Sequence, residues 1–484
     1  MSIQGDPRTR RISRRAFLGL GGLSTVTLAL GPWARRTGAT VGFGPLVADP
    51  GGVIDLPHGF QYRILSQQGS TLSNGAPVPG DPDGMAAFSG PGNTTILVRN
   101  HELAPTEGPP VVGTNPYRAT QRGGTTGIVV GEDRTVIEDH VTSSGTQKNC
   151  AGGRTPWGTW LTCEETRTAR HGYVFEVMPD DPENVLSKTP IRAMGFFSHE
   201  AAGVDPTTGI VYLTEDDYRG TTPANPTAET NSSRLSFLYR YIPDDPSPVP
   251  GALQKGGRLQ AMTLEQGNFN ADLANPGQSF GVVWRDVDPA EPHADAQAKG
   301  AARFNRLEGA YFSGGAFWFD DTVGGEKRLG QIFRYLPATQ TLELFYEGTD
   351  PKKMESPDNI CVTPWGDLWF AENGRGRDRI MGITPDGQVY AFASNRSSNF
   401  EFSGPCFAPD GQTFFVNIQQ SAITLAVWGP FFPPSVAGQR RMAQAPPPRS
   451  MSPKISGELA EAAEKNGMTI LEAAAYDRLG VPLT

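Results

Sequence analysis

Short apolar runs separated by turn residues follow one another along most of the chain. The runs are rich in aromatic and β-branched residues, and nearly every one is followed by a second run of the same kind. Runs of this length and composition, bounded by glycine and other turn residues, predict β-strands, and Asp386-Gly387 and Asp410-Gly411 are typical of tight hairpins. The clearest first strands lie at residues 158–162, 210–214, 315–319, 367–371 and 413–417.

The spacing of these predicted strands indicates a repeat. Equivalent first strands recur roughly every fifty residues, apart from one longer interval between the second and third, and an earlier strand lies at residues 94–99. A period of this size with several strands per repeat is typical of β-propellers. We therefore predict an all-β fold over residues 41–432, a six-bladed β-propeller with peripheral insertions.

The C-terminal tail departs from this pattern. Residues 433–453 are rich in proline, alanine and arginine and predict a linker, whereas apolar residues recur with a helical period over residues 456–479. We expect residues 433–484 to form a Pro-rich linker and a C-terminal helical segment.

Composition agrees with a globular β-protein. The 484 residues include 37% hydrophobic residues and 25 Phe, enough for a core, so a wholly disordered chain is excluded. The four cysteines include no CxxC pair, which indicates neither a disulfide framework nor a zinc ribbon, although one or two disulfides remain open.

The first forty residues predict an export signal. Five arginines between residues 8 and 15 precede an apolar stretch at residues 17–30, which is too short to span a membrane comfortably. The run Ser13-Arg14-Arg15-Ala16-Phe17-Leu18 resembles the twin-arginine consensus, with a Sec signal or a signal anchor as the alternative. We expect the twin-arginine machinery to export the folded chain and residues 1–40 to be removed. The product would be a periplasmic or extracellular protein, a monomer without a stable membrane anchor.

The mature chain is strongly acidic. The formal net charge is -9, and because residues 1–40 contribute seven arginines and one aspartate, the remainder carries about -15. An acidic field argues against a nucleic-acid-binding surface. It still allows an anionic substrate where carboxylates gather around multivalent cations.

Acidic residues stand where several predicted strands end. In a propeller such strand ends converge on the central axis, so the carboxylates would repel one another unless cations neutralised them. Oxygen ligands in varied geometry suit Ca²⁺, and a set of solvated turns is the alternative. The acidic strand ends are Glu164-Glu165, Glu215-Asp216-Asp217, Asp320-Asp321 and Glu372-Asn373.

Three further groups of polar residues suggest chemistry. His101 and His199 each precede a glutamate, and Arg306 and Glu308 are two positions apart on a predicted strand. At period two Arg306 and Glu308 share a face, which would set a guanidinium able to grip phosphate oxygens beside a metal-binding carboxylate. An ordinary ion pair between them is the alternative.

At these residues the chain resembles the PhoX-type alkaline phosphatases. The resemblance covers most of the chain beyond the signal, and its most specific stretch is residues 149–165, NCAGGRTPWGTWLTCEE. Shorter stretches reinforce it at residues 197–201, 213–217, 306–309, 357–359 and 404–407.

The resemblance implies a six-bladed propeller that holds two ferric ions and several calcium ions and hydrolyses small-molecule phosphate esters. It implies that Cys150 is a thiolate ligand of iron, with a buried free thiol as the alternative. It implies that Arg306 clamps the phosphate, while a metal-bound oxygen attacks phosphorus and His101 and His199 orient groups or donate protons. The carboxylate ligands that it implies are Glu165, Glu200, Glu215, Glu308, Asp358 and Glu372.

Two other functions stay open at this stage. A calcium-dependent propeller lactonase or gluconolactonase-like hydrolase would use channel carboxylates without iron or a thiolate. A propeller that only binds a partner would need no catalytic arginine. Metal content and the effect of Arg306→Ala on hydrolysis would separate the three hypotheses.

Overall fold

The computed structural model describes residues 41–216 and 235–431, which contain 26 β-strands and one short α-helix. In chain order these elements are β1 (Leu46–Val47), β2 (Ile54–Pro57), β3 (Gln61–Ser66), β4 (Pro82–Ser89), β5 (Thr95–His101), β6 (Gly123–Val130), β7 (Val136–Thr146), β8 (Asn149–Arg154), β9 (Trp160–Glu164), β10 (Val174–Val177), β11 (His199–Val204), β12 (Val211–Glu215), β13 (Leu238–Pro243), β14 (Gly257–Leu264), β15 (Ser279–Asp286), α1 (Pro292–Ala298), β16 (Leu307–Ser313), β17 (Ala316–Asp321), β18 (Gln331–Leu336), β19 (Thr341–Glu347), β20 (Pro357–Val362), β21 (Leu368–Glu372), β22 (Arg379–Ile383), β23 (Val389–Asn395), β24 (Phe402–Phe407), β25 (Phe414–Ile418) and β26 (Ile423–Trp428).

The strands form antiparallel sheets whose order follows the chain. The sheets are β4-β5-β6-β7, then β8-β9-β10, a nine-stranded sheet from β11 to β16, then β20-β21-β22-β23 extended by β2 and β1, and β24-β25-β26-β3. In the nine-stranded sheet β15 pairs with both β14 and β19, so it joins two units of four strands. The early strand β3 completes the last sheet, which ties the beginning of the described chain to its end.

Six strands that begin these units, which we call the inner strands, pack against one another in a closed circuit. β4 contacts β8, and β8, β11, β16, β20 and β24 follow in turn, with β24 returning to contact β4. Each inner strand pairs with the next strand in the chain, its second strand, which is β5, β9, β12, β17, β21 or β25. This circuit is a propeller-like arrangement and confirms the predicted all-β class.

Every inner strand carries a β-bulge near its first residues. In β4 the pairing with β5 passes from Pro82↔His101 to Met85↔Arg99, so three steps on the inner strand match two on its partner. The same shift occurs in the other five inner strands. A bulge changes the direction of the side chains around it. The residues at the start of each inner strand therefore do not follow the regular alternation of side chains between the two faces of the sheet.

Glycines let neighbouring inner strands come close at these bulges. A side chain at Gly309 would collide with the carbonyl oxygen of Asp358, and one at Gly404 would collide with the carbonyl oxygen of Asp83. The residues next to these glycines are therefore held near the adjacent inner strand.

Aromatic side chains fill the space between the sheets. Trp369 lies at 0% exposure among Phe43, Phe392, Phe414 and further rings, in edge-to-face and tilted contacts. All four cysteines are buried and free. No helix among residues 41–216 and 235–431 is long and apolar enough to cross a membrane. The predicted signal, the C-terminal linker and helix, and Asp217 lie outside the described residues.

Candidate active site

The second residue of an inner strand is the main source of chemical groups at the axis. In five of the six inner strands this residue is an acid or a cysteine, and it stands beside the bulge. In the sixth, β24, it is Ser403. The five residues are Asp83, Cys150, Glu200, Glu308 and Asp358.

Two glutamates from another repeated position join them. Glu102 and Glu165 each come directly after a second strand. The backbone N–H of each glutamate donates to the carbonyl of the residue that precedes the inner strand. Glu102 donates to Asp81, and Glu165 donates to Lys148. All six units make this bond, which brings the ends of the two strands together.

These seven side chains form a continuous row, which we call the carboxylate–thiol row. Its ligand atoms fall into three groups of three, each with all atoms within 4.8 Å of one another. Cys150 belongs to two of the groups, and so does Glu200. The groups are Asp83-Glu102-Cys150, Cys150-Glu165-Glu200 and Glu200-Glu308-Asp358.

The row is electrostatically unfavourable without cations. Burial raises the pKa of Glu200 well above its ordinary value, and Glu308 and Glu165 add to the effect. Neither carboxylate oxygen of Glu200 accepts a hydrogen bond among the described residues. A buried carboxylate without donors is costly, so Glu200 and its neighbours fit a site for multivalent cations.

The Cys150 thiol fits the same interpretation. Burial raises its pKa well above the ordinary value, and Asp83 and Glu200 raise it further, while Sγ lies 3.4 Å from Asp83 Oδ2. A thiolate at this position therefore requires a metal ion beside it.

Two basic side chains contact the row, and they occupy equivalent positions. Lys148 and Arg306 each directly precede an inner strand. Arg306 donates to Asp216 from Nε at 3.1 Å and from Nη2 at 2.6 Å, and it also forms an ion pair with Glu308. Lys148 Nζ lies 2.8 Å from Glu102 and 2.7 Å from Glu165. Both predicted neighbours, Arg306 and Glu308, therefore lie together at one end of the row.

Acids stand both at the last position of a second strand and directly after it, and the two positions differ in what they contact. In three units the acid that ends the second strand turns away from the row and bonds the backbone two residues before the inner strand, whereas Glu215 accepts from Phe237 N. Asp321 accepts from Asn305 N at 3.0 Å, and Glu372 accepts from Glu355 N at 3.0 Å. Glu164 accepts from Gln147 N at 2.9 Å in the same way. These residues hold the segment that leads into the row.

Five of the seven predicted metal ligands therefore lie in the row, namely Cys150, Glu165, Glu200, Glu308 and Asp358. Glu215 and Glu372 do not join it. Glu372 forms an ion pair with Arg379 at 2.6 Å, and Glu215 contacts His293 Nδ1 at 2.8 Å.

The two predicted histidines are bonded to backbone. His101 ends β5, its Nδ1 donates to the Gly80 carbonyl at 2.6 Å, and its Nε2 contacts Thr126 Oγ1 at 2.9 Å. It therefore occupies the same position as Glu164 and Glu372. His199 stacks on Phe197 and contacts the Gly195 carbonyl through Nε2 at 3.0 Å, and burial lowers its pKa to about 3.

The sequence analysis assigned no role to Asp83, Glu102 or Lys148, and it counted Asp216 among the acidic strand ends without pairing it with Arg306. Asp83-Gly84 repeats the acid–glycine pattern of Glu308-Gly309, and Glu102 follows its strand as Glu165 does. Alignment of the repeats would therefore have identified Asp83 and Glu102 as candidate site residues. The bonds of Lys148 and Asp216 depend on the turns between strands and leave no pattern in the sequence.

Sequence comparison supplies the family. The sequence profile described as alkaline phosphatase PhoX matches residues 41–139 and 133–422. The chain belongs to the PhoX alkaline phosphatase family. No match is found among curated protein sequences.

Solved structures agree on the fold. PhoX of Pseudomonas fluorescens in complex with vanadate, a transition state analogue, matches with a TM-score of 0.60 and 20% identity over 78% of this chain and 96% of that one. A gluconolactonase of Xanthomonas campestris matches at 14% identity with a TM-score of 0.43, over 80% of this chain and 99% of that one. The first likeness supports the propeller-like fold, and the second carries no argument about function.

Membership of the PhoX family makes this protein a phosphatase and a hydrolase of phosphate esters. The family is metal-dependent, and the carboxylate–thiol row supplies candidate ligands.

Proposed function

We propose that this PhoX family member releases inorganic phosphate from small-molecule phosphomonoesters at the carboxylate–thiol row. The observation that carries the proposal is the buried row itself, whose three overlapping groups of ligand atoms end beside a guanidinium. We also propose that the six inner strands belong to the six blades of one propeller.

We propose Fe³⁺ and Ca²⁺ as the metals. Carboxylate oxygens suit Ca²⁺, whereas the Cys150 sulfur favours iron at the two groups that share it. Asp83, Glu102, Glu165, Glu200, Glu308 and Asp358 would supply the oxygen ligands. Bound there, the cations would lower the pKa of water and offset the charge of the phosphoryl group.

Arg306 would bind the phosphoryl oxygens. Asp216, at 0% side-chain exposure, fixes the guanidinium through Nε and Nη2, so the direction of the remaining N–H groups is set before substrate arrives. Donors held in advance stabilise charge in a transition state without a reorganisation cost. The vanadate complex of Pseudomonas fluorescens PhoX supports phosphoryl transfer as the reaction of such a site.

Purified protein tests this proposal when elemental analysis is combined with turnover. We expect iron and calcium in the folded protein, hydrolysis of p-nitrophenyl phosphate, loss of turnover after chelation and recovery after calcium is returned. Hydrolysis of an aldonolactone, measured under the same conditions, tests the alternative lactonase activity. Calcium without iron, together with lactone hydrolysis and no phosphatase turnover, would contradict the proposal.

We further propose export of the folded monomer to the periplasm or beyond by the twin-arginine machinery. The supporting observation is the Arg14-Arg15 pair ahead of Phe17-Leu18. Replacement of both arginines by lysine should leave active enzyme in the cytoplasm, and normal export of that variant would refute this route.

A further inference from the structure

Lys148 occupies an unusual place in the carboxylate–thiol row. Its ammonium lies 2.8 Å from Glu102 and 2.7 Å from Glu165, and these glutamates belong to two neighbouring groups of the row. Arg306, at the equivalent position of its own unit, is held mainly by Asp216, which belongs to none of those groups among the described residues. Lys148 therefore lies within the row, whereas Arg306 lies at its end.

The backbone directs Lys148 to this place. Lys148 adopts a left-handed conformation with φ of 47°, which is uncommon for a residue with a side chain. Its N–H donates to the Leu103 carbonyl and its carbonyl accepts from Glu165 N, so both sides of the residue are tied to the segments that carry its glutamate partners. Such strain is maintained only where the surroundings hold the residue in place.

Lys148 places one positive charge between two carboxylates, with which its ammonium forms ion pairs. Carboxylate oxygens that share one cation are also the ligands that hard divalent ions such as Ca²⁺ prefer.

Resting on the proposed function, we propose that the Lys148 ammonium takes the place of a metal ion between Glu102 and Glu165. The chain thereby carries one of its own cations in the row, and the row binds one ion fewer than its acids could hold. Lys148 sets the metal stoichiometry.

Metal content of Lys148 variants tests this proposal. Lys148→Asn removes the charge, tolerates the left-handed backbone and vacates the space that the ammonium fills, so the metal-loaded variant should contain about one more divalent cation per chain than the unmodified protein. Its melting temperature should also depend on calcium at concentrations where that of the unmodified protein no longer changes. Lys148→Arg should keep the original metal content.

A double variant locates the additional ion. Lys148→Asn combined with Glu102→Gln lacks one of the two carboxylates and should not gain the additional ion. Should Lys148→Asn fail to fold, Lys148→Ser carries the same test. An unchanged or lower metal content in the folded neutral variants would overturn the proposal. This result is independent of phosphatase turnover, whose absence in the unmodified protein would instead contradict the proposed function.

Discussion

At the scale of single residues, the sequence left two hypotheses for Arg306 and Glu308, a phosphate clamp beside a metal ligand or an ordinary ion pair, and the structure is compatible with both at once. The structure shows the ion pair, yet Asp216 holds the same guanidinium in a second, bidentate contact. A residue that only neutralised Glu308 would not need this second partner. The planar fork is fixed in direction, which a phosphate clamp requires and a simple counter-charge does not.

Arg306→Lys tests that distinction better than Arg306→Ala, because alanine would leave Asp216 buried without its cation. Lysine keeps the charge but cannot form two parallel hydrogen bonds. We expect unchanged metal content and a loss of kcat/KM on the order of 10²-fold with a phosphomonoester. Arg334→Lys, which alters a bidentate pair with Glu343 outside the carboxylate–thiol row, is the matched control. Equal turnover in the two variants would show that Arg306 is structural.

Glu308→Ala should behave differently from Arg306→Lys. Glu308 shares a group with Glu200 and Asp358, so its removal should lower the metal content measured by elemental analysis together with turnover. Full retention of metal in Glu308→Ala would remove this residue from the ligand set.

At the scale of strands, a single repeated arrangement builds the site. In five of the six units the inner strand provides an acid or a cysteine at its second residue, beside the bulge, and in four units the last residue of the second strand bonds the segment before the inner strand. His101, Glu164, Asp321 and Glu372 all perform this last task, although one is a histidine that donates and three are acids that accept.

His101→Phe separates this structural task from proton donation. Phenylalanine fills a similar space but removes the donor to the Gly80 carbonyl and the ring nitrogen that contacts the Thr126 hydroxyl. The free energy of unfolding, measured by denaturant titration, should fall by about 1–3 kcal/mol. Turnover of the folded variant should change little, with His58→Phe on the exposed surface as control. A loss of 10²-fold or more without loss of stability would favour proton donation by His101.

The strands also show how far the sequence could be interpreted. Aromatic runs such as residues 315–319 were correctly predicted as strands, because burial on both faces leaves a clear composition signal, but the prediction that they begin the repeats was wrong, since each follows an inner strand. The same reasoning treated both residues of Glu164-Glu165 as facing the axis. Adjacent residues on a strand point to opposite sides, so only Glu165 reaches the row. Asp83 was missed because its carboxylate reaches Cys150 across sixty-seven positions of sequence.

At the scale of the whole molecule, closure of the circuit concentrates negative charge on one small volume. The sheet completed by β3 brings both ends of the described chain together, and each inner strand contacts the inner strand on either side of it. The fold thus holds carboxylates at distances that they would not adopt alone. Metal binding and folding are therefore linked, and so is the binding of protons.

The metal-free protein should lose stability as pH rises. Burial is the largest cause that raises the pKa of Glu102 to about 7 and that of Glu401, which directly precedes β24, to about 8, both above the ordinary 4.5 of an unfolded glutamate. Between the unfolded pKa and the raised folded pKa, the folded state binds more protons than the unfolded state. The free energy of unfolding therefore falls as pH increases from about 5 to about 8. We expect the melting temperature in excess chelator to drop by on the order of 5 °C over this interval.

The metal-loaded protein should show the opposite slope, because cations replace the protons and bind more tightly once the carboxylates and the Cys150 thiol are ionised. Its melting temperature should rise or stay level from pH 5 to pH 8. Parallel curves with and without metal would mean that the acids of the row do not hold the ions. A difference between the two melting temperatures that grows with pH would instead show that metal ions and protons bind to the same buried acids. Binding of one then depends on binding of the other, and both determine the stability of the closed fold.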